Sequence, residues 1–391
     1  MLHGTINKIK SRLLVVLVSL MSSNYSIAAT MTVNTFTDEI ATNASCSLRE
    51  AIINANNNDT SGSTDCLAGT ATGIDEIVLA AGTYTLTIAG RGEDAALTGD
   101  LDINDVSTTG SSLVISGAVD SVSGAPATVI DGSDIDRIFD IFNPLNKDNL
   151  DQGANFDGVI VTLQNLKVIN GHAEETIVAV DNQANGGAVF SWRFNSLSID
   201  NCEFDNNQAV WDGKYDVIDP DTIPNSGDEI EERILSGHGG AVYSRGQLAV
   251  QNSLFSNNIA YTTNDENGDS IIEGENEKSG NGGGIFVAYT STIENSTFSN
   301  NTASNGGGIN TTGGEPSIVP GNMTVSGSTF VGNWAVMGGG INNVSPQVTL
   351  DIINTTLSAN ITTDMGGGVN SDAAVHLKHV TVVDNKVINS D

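Results

Sequence analysis

From about residue 196 onward, short runs such as "LSID", "LAVQ", "MTVSG" and "VTLDII" place apolar residues at alternate positions. A period of two predicts strands with one buried face. Each run leads to an apolar residue with asparagine three positions later: Phe204 and Asn207, Phe255 and Asn258, Phe298 and Asn301, Phe330 and Asn333, Leu357 and Asn360, Val382 and Asn385. Val168 with Gly171 opens the series more loosely. Three residues before the apolar position stands Asn165, Asn201, Asn252, Asn295 or Asn354, replaced by Gly327 and His379 in two copies. A glycine motif follows: GGAV at 186–189 and 239–242, GGGI at 282–285, 306–309 and 338–341, and GGGV at 366–369. A phosphate-cradling loop is needed once, so six copies indicate a repeating scaffold.

The apolar positions from Phe204 to Val382 are separated by 51, 43, 32, 27 and 25 residues. A minimum near 25 is the size of one coil of a parallel β-helix with three short strands and three corners. Asparagine tolerates the left-handed backbone of a sharp corner, and its amide bonds to its copy one coil above; glycine turns without a Cβ. About ten coils at the strand spacing of ~4.8 Å make a rod on the order of 50 Å long. The expected fold is therefore all-β, a right-handed parallel β-helix. One exception is "CSLREAIINANN" at 46–57, where Leu48, Ala51, Ile52 and Ala55 share a helical face. A solenoid leaves unpaired strand edges at its ends, and this helix is expected to cap the N-terminal one.

Lys8, Lys10 and Arg12 precede the apolar run "LLVVLVSLM", and "SIA" ends at Ala28, a pattern that predicts a secretory signal over 1–28. The remainder divides into a cap with first coils at 29–110 and repeats at 111–391, and no later segment reads as a transmembrane helix. The whole chain carries a net charge of −32, and the leader's three cations take the mature chain to −35. That surface excludes nucleic acid and disfavours anionic membranes, because both need clustered Lys and Arg. It admits cations as partners and equally serves solubility alone. In an oxidising compartment Cys46 and Cys66 are the natural disulfide pair, and Cys202 stands where other copies carry Ser253 and Ser296.

Three stretches, "CSLREAI" at 46–52, "GTYTLTIAGRGEDAALTGDLDINDV" at 82–106 and "ATVIDGSDIDRIFDI" at 127–141, occur together with coils such as "FSNNTASNGGGIN". This set resembles the secreted bacterial proteins named for their CSLREA motif. The coils also resemble those of the chlamydial polymorphic outer-membrane proteins, whose repeats combine GGA[ILV] with FxxN. The resemblance implies a right-handed parallel β-helix at or beyond the outer surface. It implies no single activity: the chlamydial proteins are adhesins, and other parallel β-helices cleave polysaccharides. The chlamydial pattern includes a C-terminal translocating barrel, which this sequence lacks before it ends at Asp391. A stalk from a longer surface protein is thus a third reading.

Between asparagine and glycines lie four residues after Asn301 and Asn333, and five after Asn360. The earlier gaps are far longer, which predicts loops at 171–185, 208–238 and 259–281 on one edge of the rod, where a binding surface belongs. They are rich in Asp and Glu. "DENGDSIIEGEN" at 265–276 begins like a calcium loop, with Asp265, Asn267 and Asp269 on alternate positions, but Ser270 and Asn276 replace the turn glycine and bidentate glutamate. Ca²⁺ binding and a solvated acidic loop are both open there. Trp192, Trp211 and Tyr243 are candidates to stack on sugar rings. Arg193 and Arg245 suit a lyase's charge neutraliser and equally suit pairing with the acidic loops; Lys214 lies nearby. His238 and His172 flank loops as candidate bases. "GDLDIND" at 99–105 alternates acids with Leu101 and Ile103, as expected of a strand with an exposed acidic face. These features predict a secreted or cell-surface protein that binds a glycan or surface ligand, with polysaccharide cleavage as the alternative.

Overall fold

The computed structural model describes residues 27–104, 112–144, 158–174, 184–211, 237–262, 280–312 and 321–388. All paired strands among them are parallel, in sheets of ten, nine and eight strands and two sheets of three. The ten-strand sheet takes its strands in chain order from Ile27–Thr32 to Val375–Lys378, one from each coil. This is a right-handed parallel β-helix. Pairing of Ile74–Val78 with Ser112–Ser116 carries the sheet across residue 110 without a break. The first strand begins at Ile27, inside the expected leader; residues 1–26 lie outside the described residues. No described helix is long and apolar enough to cross a membrane.

The late coils hold four strands rather than the expected three. One coil runs through Leu350–Ile353, Thr356–Ser358, Ile361–Met365 and Val369–Ser371. The additional short strand lies between the corner asparagine and the glycines, where backbone of neighbouring coils comes close enough to pair.

Phe204, Phe255, Phe298 and Phe330 are fully buried and stack face to face inside the coil, with centroids 4.9, 4.8 and 4.7 Å apart. The ring spacing equals the strand spacing because parallel pairing sets each copy directly over the last. Burying each ring contributes about 1.5–3 kcal/mol.

The paired asparagines divide two tasks that the sequence reading assigned to one residue. The first member takes the left-handed turn: Asn206, Asn257 and Asn300 have φ of 56°, 56° and 55°. The second, wholly buried from Asn207 to Asn360 and half-buried at Asn385, forms the ladder. Nδ2 donates to the next Oδ1 from Asn207 through Asn258, Asn301, Asn333 and Asn360 to Asn385, at 2.8–3.0 Å. The glycines are also distinct. Gly306 has φ +66°, whereas a Cβ on Gly308 would lie 2.5 Å from the carbonyl oxygen of Gly340. One glycine turns the chain; the other lets two coils touch.

The N-terminal helix α1 spans Leu48–Asn57. Ser47 Oγ accepts from Glu50 N–H and Glu50 Oε2 accepts from Ser47 N–H, a reciprocal capping box. Arg49 is buried, paired with Asp38 at 2.6 Å, and donates to the carbonyls of Ala96, Gly99 and Asp100. Asn56 donates to the carbonyl of Asp102. A disulfide joins Cys46 to Cys66. Helix α1 is therefore fastened to the first coils by polar bonds as well as by its apolar face.

Candidate functional site

The eight-strand sheet presents a second ladder on its outer side. Its central residues, aligned by strand register, are Asp102, Asp140, Phe190, Tyr243, Phe286, Asn310, Asn342 and Asn370. Their neighbours Val189, Val242 and Ile285 belong to the main core, so alternation turns these residues away from it. The amide end is bonded, Asn342 Nδ2 to Asn310 Oδ1 at 2.7 Å and Asn370 Nδ2 to Asn342 Oδ1 at 2.8 Å. In the middle, Phe190, Tyr243 and Phe286 stack 4.9 and 4.8 Å apart as a cluster separate from the core.

The other end is acidic. Asp100, Asp102, Asp136 and Asp140 are all buried, and Arg137 lies among them, its Nε 3.0 Å from Asp100 Oδ2 and its guanidinium 5.3 Å from the Phe190 ring centre. Trp192 Nε1 donates to Asp140 Oδ1 at 3.0 Å, and Ala96 N–H donates to Asp102 Oδ2. Burial, then the charge of Asp140, pushes the Asp102 carboxyl up to about 9. Burial, then Asp136 and Asp102, holds Asp100 well above the usual range. Burial also raises Asp136, against the opposing pull of Arg137 and Arg91. The surroundings of Asp102 thus disfavour its charged form.

This overturns the expectation for 99–105. Asp100 and Asp102 do not face solvent, because the corner before Leu101 is packed beneath α1 and Arg49. The cluster was missed in sequence, although a signal existed: "LDI" at 101–103 and "FDI" at 139–141 share an apolar residue, Asp and Ile in that order, and stacking them sets Asp102 on Asp140.

Two sequence candidates meet at the corner after this sheet. Trp192 and Arg245 follow paired Ser191 and Ser244, so they occupy the same place on adjacent coils; both are half-buried, as is Arg193. Tyr243 is no platform for sugar, since Phe190 and Phe286 cover both faces of its ring. His238 is not a loop base. It is buried, its Nδ1 accepts from Asn281 N–H, its backbone N–H donates to Asn185 Oδ1, and its ring stacks on Phe286. It replaces an asparagine in a short polar ladder before the glycines. Trp211 ends the strand Gln208–Trp211, and Asp265, Asn267 and Asp269 lie outside the described residues, as does Lys214. Cys202 is buried and aligned with Ser253, whose Oγ accepts from Cys202 N–H; burial pushes its thiol up to about 12.

Coils of this geometry define the class, a parallel β-helix repeat protein. Residues 295–312 match the model of the Chlamydia polymorphic membrane protein repeat, the stretch that holds Asn295, Phe298, Asn301 and 306–309. Among solved structures, the A-module of a mannuronan C-5 epimerase from Azotobacter vinelandii is similar over 81% of this chain and 91% of that one, at 13% identity and a TM-score of 0.24. No curated protein matches the chain.

Proposed function

We propose that the protein is exported, acts at or beyond the cell surface, and binds a glycan or other surface ligand where its three long acidic insertions leave the coil. One observation carries this reading. The strands His172–Glu174, Gln208–Trp211 and Ile259–Thr262 form one sheet, and each insertion begins at the end of one of them. The insertions therefore start side by side on consecutive coils. Rigid scaffolds commonly present recognition loops in this manner. Across the eight-strand sheet, Trp192, Arg193 and Arg245 supply an aromatic edge and positive charge. The leader-like N-terminus, the disulfide and the match to a membrane-protein repeat support a place outside the cytoplasm.

The test replaces residues 212–236 with a four-residue turn like that after Asn301 and measures binding to acidic and neutral polysaccharides and to cell surfaces. Binding by the parent chain, lost from a variant that keeps its β-sheet circular dichroism, is expected; unchanged binding removes the reading. A second reading, polysaccharide cleavage, is favoured by the neighbouring carboxyls of Asp102 and Asp140, of which Asp102 is pushed toward its protonated form. It requires release of new reducing ends, with or without Ca²⁺, that is lost in D102N and D140N and weakened by replacing Arg193 or Arg245. Silence across a broad panel leaves the binding reading.

A further inference from the structure

We propose that Asp100, Asp102 and Asp140 form a site for one calcium ion on the outer side of the eight-strand sheet. Each offers a carboxylate oxygen, and these oxygens lie within 4.8 Å of one another. Calcium bonds oxygen at about 2.3–2.6 Å, so two ligands of one ion stand at most about 5.2 Å apart, a limit these oxygens meet. An independent sign is an unpartnered buried acceptor: Asp102 is wholly buried, and its Oδ1 has no hydrogen-bond partner while Oδ2 holds Ala96 N–H. Buried acceptors are ordinarily satisfied, and an orphaned one calls for a ligand.

The surrounding charge agrees. Asp140, Glu93 and Asp94 all act on Asp102 with the same sign, and Arg137 opposes them from beside Asp100. A divalent cation among these three carboxyls offsets the like charge that Asp102 and Asp140 bring together. Hard carboxylate oxygens without sulfur or imidazole favour calcium over transition metals. The site uses none of Asp265, Asn267 and Asp269, and calcium on Asp102 and Asp140 leaves neither free as acid or base, so a filled site excludes cleavage through that pair.

Terbium, a luminescent calcium substitute, tests this with the full mature chain at pH 8. Trp192, bonded to Asp140, is placed to sensitise it. The expected result is Trp-sensitised emission displaced by Ca²⁺, with affinity reduced at least tenfold in D102N and D140N and retained in W334F. A D265N/D269N double variant must keep the component that D102N removes, which separates this site from the loop. No emission, or emission indifferent to both D102N and D140N, overturns the proposal and leaves the carboxylates neutralised by protons alone. Should both variants misfold, calcium titration calorimetry on the D265N/D269N variant decides: a saturable site that remains there supports the proposal, and the absence of calcium binding refutes it.

Discussion

Asn300 sits at φ 55° on the surface of a corner, whereas its neighbour Asn301 is fully buried and bonded to the coils before and after it. The two therefore answer differently to the same substitution. Asn300→Gly keeps the left-handed turn and should change stability by only a few tenths of a kcal/mol. Asn301→Gly strands the carbonyl of Phe255 and the amide of Asn258, and should cost on the order of 3 kcal/mol in urea denaturation. Asp102 makes a prediction about pH. Its carboxyl is near 3.8 when unfolded and about 9 when folded, so the folded state holds the extra proton between those values. Its stabilising effect is complete below about pH 4 and is lost as pH rises through 9. In excess chelator, melting temperature should fall across that window, and D102N should flatten the decline.

At the scale of elements, α1 depends on bonds that hydrophobic periodicity does not reveal. Removing Arg49 leaves Asp38 buried without its partner and frees three carbonyls at 96–100, so Arg49→Ala should destabilise the N-terminal coils by about 3–5 kcal/mol. Reducing the disulfide, which closes a sequence separation of 20, should remove about 3 kcal/mol more by chain entropy. Both losses belong to the same end of the rod. Hydrogen exchange should therefore show α1 and Ile74–Val78 opening together while Thr297–Ser299 and its neighbours stay protected.

Across the whole molecule, each coil touches only the coils beside it, so stability is graded along the axis. Interior copies such as Phe298 and Phe330 are completely buried, but Val382, in the same register, is 58% exposed. Exchange should therefore be fastest in Val369–Ser371, Val375–Lys378 and Thr381–Val383 and slowest in the coils between residues 242 and 311. Uniform protection from end to end would contradict this nearest-neighbour account.

Local patterns along the chain determined the coil. The alternation of Leu248 and Val250, the Phe and Asn spacing, the glycine triplets and the capping residues of α1 are each read within a few positions, because strands, turns and caps obey local sterics. The same patterns also carried the positions at which long insertions interrupt the repeat. Tertiary structure alone decided what stacks on what across coils. It turned Asp100 and Asp102 from an expected exposed face into a buried cluster, seated Tyr243 between two phenylalanines, and placed His238 in an asparagine's position. Those outcomes depend on register between segments dozens of residues apart, and on which groups cover the outer face of a sheet. Neither is set by the period of two that makes a strand.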